Sequence, residues 1–198
     1  MLAARWIVLL PFACVAAAQQ DITLQLEQLP SSGSAEALGA KLLKDSRASG
    51  AAVAAVWQSG NPGLRQKARL VLNEMEEAAL YPLLKTQGRL DPAEQVWQMT
   101  MVVETIAELR KSAAAMLDRQ LTNKQPAPLP VMPGAEGQNP PRRVCDEAYV
   151  QMSALTAADP KSDAFLSRMR QFAGQPEAAR DAEIRRARQS AAWHALLK

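Results

Sequence analysis

The segment NPGLRQKARLVLNEM, residues 61–75, decides how this chain is read. It opens on an Asn-Pro pair, a capping side chain followed by a proline whose fixed φ and missing N–H suit the first turn of a helix. Leu64, Ala68 and Leu72 follow at four-residue spacing, so one helix face is apolar. The small alanine in its middle lets a neighbouring helix approach closely while the flanking aliphatics fill the groove. The arrangement returns in NPPRRVCDEAYVQMSAL, residues 139–155: after two extra residues, Val144, Cys145, Ala148 and Met152 take the offsets of Leu64, Arg65, Ala68 and Leu72. Two copies of one helix pattern, 80 residues apart between Ala68 and Ala148, predict a chain built from packed helices.

Helix starts elsewhere carry the same punctuation. Asp91-Pro92-Ala93-Glu94 joins a cap aspartate, a first-turn proline and a glutamate three residues on. Asp159-Pro160 repeats the device, Gln175-Pro176-Glu177 is a weaker form, and Ser34 reads as a cap. These signals predict helices near 35–47, 51–58, 62–77, 79–86, 92–121, 142–157, 161–173 and 176–197, with Ser49-Gly50 as a break. In the longest, Val96, Met99, Val103, Ile106, Leu109, Ala113, Met116 and Leu117 make one apolar stripe. Only DITLQLEQL, residues 21–29, alternates apolar and polar residues for a few positions.

The first residues, MLAARWIVLLPFACVAAAQQ, have the layout of a secretory signal peptide: Arg5, an apolar run from Trp6 to Ala18, and a small-residue Ala16-Ala17-Ala18 ending. Cleavage near Ala18 would remove Cys14 and export the chain to a periplasmic or extracellular compartment. An uncleaved anchor and lipid attachment at Cys14 are the competing readings. The run is short for a membrane span, which needs roughly 20 apolar residues, and Pro11-Phe12-Ala13 fits a lipoprotein signal poorly. Without Arg5 the chain holds 22 basic against 20 acidic residues, a balance that argues against nucleic acid as a partner and gives membrane association no support. One remaining cysteine permits no internal disulfide, so stability must come from burial.

Between Asn123 and Pro141 the helical pattern stops. NKQPAPLPVMPGAEGQNPP holds six of the thirteen prolines and two glycines, which predicts an extended connector. The expected organisation is a signal peptide over 1–18, an extended or loosely helical leader over 19–33, an N-terminal helical repeat region over 34–122, a Pro-rich linker over 123–141 and a C-terminal helical region over 142–198. Whether the two helical groups make two domains or one body with a crossover stays open.

Both opening segments resemble the second helix of HEAT-type α-helical repeats, in which an Asp/Asn-Pro turn leads to an aliphatic residue, often an arginine, and an alanine three residues after it. Leu64, Arg65 and Ala68 match that form; Val144 and Ala148 match it with Cys145 in the arginine's place; Ala51–Gly60 would supply the shorter first helix of the first unit. A weaker echo at Ile184-Arg185 has Arg188 where alanine belongs. The resemblance covers a quarter to a third of the chain and implies an all-α fold of stacked helical hairpins, HEAT-like α-solenoid in type, with a Pro-rich connector. Its implied role is a non-enzymatic, exported scaffold or interaction module for a protein partner.

Reactive constellations read more plainly as structure. Cys145 beside Asp146, Glu147 and the lone His194 is the one hint of nucleophilic chemistry, but adjacent carboxylates disfavour a thiolate. Val144, Ala148 and Met152 put Cys145 on an inner face, with Asp146 and Glu147 expected to point outward. One histidine and one mature cysteine cannot make the usual zinc sets, so no metal, cofactor or catalytic residue is expected. Glu104 and Glu108, and the group Glu74, Glu76 and Glu77, read as solvated helix faces. Trp57, Trp97 and Trp193 stand apart, without a stacking platform; Trp193 is expected to pin the last helix to the body. Arg168, Arg170, Arg180, Arg185, Arg186 and Arg188 crowd into 21 residues. With Glu177, Asp181 and Glu183 interleaved, and Asp181 and Arg185 at i, i+4, they predict a salt-bridged outer face. Polyanion or membrane-surface binding through this segment, and a cysteine-dependent enzyme using Cys145, are the alternative functions.

Overall fold

A computed structural model describes residues 10–29, 33–43, 47–75, 77–86, 90–103, 107–127 and 141–198. The regular elements among them are helices, and the one departure is an isolated antiparallel bridge between Pro126 and Arg143. The protein is all-α. It divides into two compact units, Met1–Gly88 and Arg89–Lys198.

The first unit contains α1 (Leu10–Glu27), α2 (Gly33–Leu43), α3 (Arg47–Ser59), α4 (Pro62–Glu74) and α5 (Glu77–Lys85). Asn61 caps α4 as its sequence predicts, its Oδ1 accepting from Leu64 N at 3.0 Å. Ala68, Val71 and Leu72 are fully buried where α4 meets α2 and α3. Trp57 is fully enclosed on α3, the largest wholly buried side chain among the described residues of the unit. The leader is helical to Glu27, not extended. Ile22 and Leu26, one turn apart, are buried while Leu24 is 50 % exposed, so the helical period prevails over the alternation seen in the sequence.

Gly50 is not a break. It lies inside α3, where a Cβ would sit 2.5 Å from the Ala78 carbonyl oxygen of α5. That carbonyl has lost its usual helical donor, because Pro82 inside α5 carries no N–H. Glycine lets the two helices close over it.

The second unit contains α6 (Pro92–Val103), a 3-10 turn (Ala107–Leu109), α7 (Arg110–Gln120), α8 (Val144–Thr156), α9 (Asp163–Gly174), α10 (Glu177–Arg188) and α11 (Ala191–Leu197). Asp91 caps α6 through Glu94 N at 3.0 Å. The expected single helix over 92–121 is instead α6, the 3-10 turn and α7. A continuous helix of that length would run about 45 Å and overshoot α8, which at about 20 Å is less than half as long; divided, α6 and α7 both pack on α8. Ile106 of the predicted stripe lies outside the described residues, but Val96, Met99, Leu109, Ala113, Met116 and Leu117 are buried.

Two more boundaries shift. Asp159 forms a local turn, accepting from Lys161 N at 2.9 Å, while Ser162 is the cap of α9. The expected helix over 176–197 divides at Ser190, whose hydroxyl accepts from Trp193 N at 3.3 Å. The bend brings Trp193 into the interior, parallel to Tyr149 with ring centroids 6.1 Å apart.

The segments flanking the proline-rich connector are hydrogen-bonded to each other. Ala127 N donates to Arg142 O at 2.9 Å, Val144 N to Gln125 O at 2.9 Å and Cys145 N to Asn123 O at 2.8 Å. The connector therefore leaves and re-enters one unit at neighbouring points, and α6, α7 and α8 belong to the same body.

Candidate functional site

The densest chemistry in the chain surrounds the first turn of α8. Asp146, at the third helical position, accepts from Arg143 N at 2.9 Å and so satisfies a backbone donor ahead of the helix. The Arg143 guanidinium grips the same carboxylate with two donors, Nε to Oδ2 at 3.1 Å and Nη2 to Oδ1 at 2.9 Å. Arg180 of α10 places Nη1 2.9 Å from Oδ2, and its Nη2 donates to Pro141 O at 3.0 Å. Arg143 also donates to Asp181 Oδ1 at 2.8 Å, and Lys124 reaches Asp181 Oδ2 at 2.8 Å.

Asp146 and Arg180 are 0 % exposed, and Glu147 is buried beside them. The expectation that Asp146 and Glu147 face solvent is corrected. α8 is covered by α6, α7, α10 and α11, so its first turn has no solvated side to offer. Its carboxylates are matched instead by guanidiniums: Arg142 holds Glu147 at 2.6 Å, with Gln151 Nε2 donating to Glu147 Oε1 at 2.6 Å. The Arg143–Asp146 spacing of i, i+3 was a legible signal. So was Arg180, one turn before the buried Ile184 and therefore on its face.

The network sets its neighbours' protonation. The Asp146 carboxylate raises the Arg143 pKa further still, so that cation is permanent. Asp181 is held below the usual carboxylate range, first by the Lys124 hydrogen bond, against an opposing effect of burial, with Arg143 adding to the lowering. Burial, then the Asp146 charge, pushes the Cys145 thiol up.

Cys145 is 1 % exposed, and its Sγ faces Asp146 Oδ1 at 3.9 Å. His194 stands exposed on α11. The thiol's neighbour is thus a carboxylate that disfavours the nucleophilic form. Glu104 and Glu76 lie outside the described residues, as does the side chain of Glu77; Glu74 and Glu108 are exposed. Among the described residues no group of three or more His, Cys, Asp or Glu is placed to hold a metal ion, and no helix is long and apolar enough to cross a membrane.

The tryptophans have separate fates: Trp57 is buried in the first unit, Trp97 half-buried on α6, and Trp193 buried against α8. Tyr149 lies between Trp193 and Phe172, whose ring centroid is 4.4 Å away. Its hydroxyl donates to Glu183 Oε1 at 2.8 Å and accepts from Arg168 Nη2 at 3.2 Å. Burial, and then the Glu183 hydrogen bond, push this phenol up.

The six C-terminal arginines divide in two. Arg168, Arg180 and Arg188 are engaged, with Tyr149 and Glu183, Asp146, and Asp118 respectively. Arg170, Arg185 and Arg186 are exposed, and no carboxylate of the described residues pairs with them. The expected Asp181–Arg185 pair is replaced by the Asp181 bonds to Arg143 and Lys124.

A comparison of the chain with protein-family models, curated proteins and solved structures finds no match.

Proposed function

We propose that this chain is a non-enzymatic scaffold of HEAT-like stacked helices, exported after cleavage near Ala18, that presents a helical surface to another protein. The observation that carries the reading is the equivalence of α4 and α8. Each packs on two or more helices of its unit, α4 along one face and α8 nearly all round, and each buries the alanine and the large apolar residue of the shared pattern, Ala68 with Leu72 and Ala148 with Met152. The match weakens at the second motif position, where Arg65 is half-buried and Cys145 fully so.

The network around Asp146 supports a rigid role. Its charged groups are spent on one another, tying α8, α10 and the connector's flanks together. The burial of Cys145 speaks against the cysteine-enzyme alternative. Affinity capture from solubilised cell envelopes with the full chain tests the reading: one or a few proteins retained at constant ratio is the expected result. Capture of nothing, together with turnover of thioester or peptide substrates that Cys145→Ala abolishes, would overturn it.

A further inference from the structure

The charges of α10 sort by face. Asp181 and Glu183 turn toward the body, meeting Arg143, Lys124 and Arg168, Glu177 lies exposed 3.5 Å from Arg143, and Arg180 is buried with Ile184. The opposite face carries a shallow groove of about 640 Å³ lined by Gln175, Ala179, Ala182, Arg185, Arg186 and Gln189. Ala179 and Ala182, three residues apart, make a floor low enough for another helix to approach, and the four long side chains frame it. Arg185 and Arg186 bring two positive charges to this frame, and no carboxylate of the described residues answers either. The interleaving of acids and bases in the sequence thus conceals a one-sided positive face.

We propose that this face of α10 is the docking surface for an acidic helix of a partner protein, an assignment that rests on the interaction reading above. Shape and charge together select that occupant. A small-residue floor flanked by long side chains accepts the ridge of a helix, and carboxylates at i, i+3 or i+4 on that ridge can reach both guanidiniums. An extended polyanion is a poorer fit, because it needs a row of cations along its backbone. Arg168, Arg180 and Arg188, which would lengthen such a row, are already engaged with the protein's own groups.

The test uses fluorescence anisotropy on the full chain, with a labelled alanine-based helical peptide carrying glutamates at i, i+4 along one face, and its glutamine counterpart as control. Binding should favour the glutamate peptide, weaken as salt screens the charges, and fall about ten-fold or more in Arg185→Glu/Arg186→Glu. The milder Arg185→Gln/Arg186→Gln should lose affinity in the same direction, and both variants should keep the parent's circular dichroism. Ala182→Trp, which fills the floor with the charges intact, should also abolish binding, whereas Arg170→Ala, outside the groove, should not. Failure of the peptide to bind, or equal binding by the variants, overturns the proposal. Tighter binding of heparin or of phosphatidylglycerol vesicles, lost in the double variant, overturns it in favour of a polyanion surface. Self-association lost in that variant overturns it in favour of a second copy. A captured envelope protein held equally by parent and double variant overturns the groove alone and leaves the interaction reading standing.

Discussion

Arg180 Nη1 lies 2.9 Å from Asp146 Oδ2 with both side chains excluded from solvent, joining α10 to the first turn of α8. Charges taken out of water are costly unless each meets an opposite charge and its hydrogen bonds. Asp146 meets that condition through three acceptances from Arg143 as well as the contact with Arg180. The two partners should therefore respond unequally to removal. Asp146→Ala leaves the buried Arg180 without its carboxylate and Arg143 with Asp181 and the more distant Glu177, and should cost about 3–5 kcal/mol. Arg180→Met keeps most of the volume and leaves Asp146 gripped by Arg143, so its cost should stay below about 2 kcal/mol. Urea denaturation of the two variants measures the difference; equal losses would mean that the network is not organised around Asp146.

The hydrogen bonds of Ala127, Val144 and Cys145 close the connector's base, and folding should therefore tolerate replacement of the intervening residues. Replacing residues 128–140 with a short Gly/Asn turn, keeping Pro141 for Arg180, should leave the helical spectrum unchanged. It should also stabilise the unit by up to about 1 kcal/mol, because a shorter loop costs less to close. A variant that fails to fold would show that the connector supplies packing that the clamped base does not.

The helical class and the pattern helices were legible because they rest on local chemistry: Asn61 and Asp91 cap as their sequence predicts, and Ala68, Ala148, Leu72 and Met152 are buried as their spacing requires. Most of what escaped depends on partners distant in sequence. Asp146 and Glu147 look solvent-facing when α8 is considered alone; the helices packed on α8 take that side from water and α10 brings Arg180 to Asp146, while Glu147 is met locally by Arg142. Asp181 has an arginine at i+4, yet Arg143 and Lys124 reach it instead. Gly50 looked like punctuation because the Ala78 carbonyl that requires it lies on another helix. The connector read as a spacer because nothing in its own composition reveals that its two flanks are paired.

Acid should weaken the second unit partly through Asp181. Its folded pKa is depressed by Lys124 and Arg143, so the unfolded chain binds the proton more readily than the folded one. The stability linked to this group is complete above the ordinary carboxylate range and is lost as pH falls through that range to the lower folded value. Asp181→Asn should reduce stability at neutral pH and flatten the decline between about pH 5 and pH 2. A decline as steep as the parent's would assign acid sensitivity to other carboxylates.

Cys145 should behave as a reporter of unfolding. Burial and Asp146 hold its pKa up, so the folded state keeps the proton to higher pH than the unfolded state, and alkali erodes stability above the ordinary thiol range of about 8.5. A thiol reagent at neutral pH should label Cys145 no faster than the second unit opens, and denaturant should raise the rate in step with loss of helix. Rapid labelling of the native chain at full helicity would show an accessible thiol and return the nucleophile reading to consideration.

The first unit offers a test of close packing in two glycines that helix propensity alone treats alike. Alanine is preferred to glycine inside a helix by up to about 1 kcal/mol, which by itself predicts stabilisation at Gly50 and at Gly63. At Gly63, near the start of α4, a Cβ meets only the Asn61 side-chain oxygen at an ordinary 3.5 Å. Gly63→Ala should accordingly gain several tenths of a kcal/mol. At Gly50 the same methyl would lie 2.5 Å from the Ala78 carbonyl oxygen and 3.2 Å from its carbon, backbone that cannot swing aside as a side chain would. α3 and α5 would have to separate, and overpacking of this kind costs about 1–3 kcal/mol, more than the propensity gain. Gly50→Ala should therefore destabilise while Gly63→Ala stabilises, a difference in sign readable from paired denaturation curves. If both variants gained stability, the α3–α5 contact would be looser than its geometry indicates, and Pro82 would be tolerated in α5 without glycine opposite the carbonyl it frees.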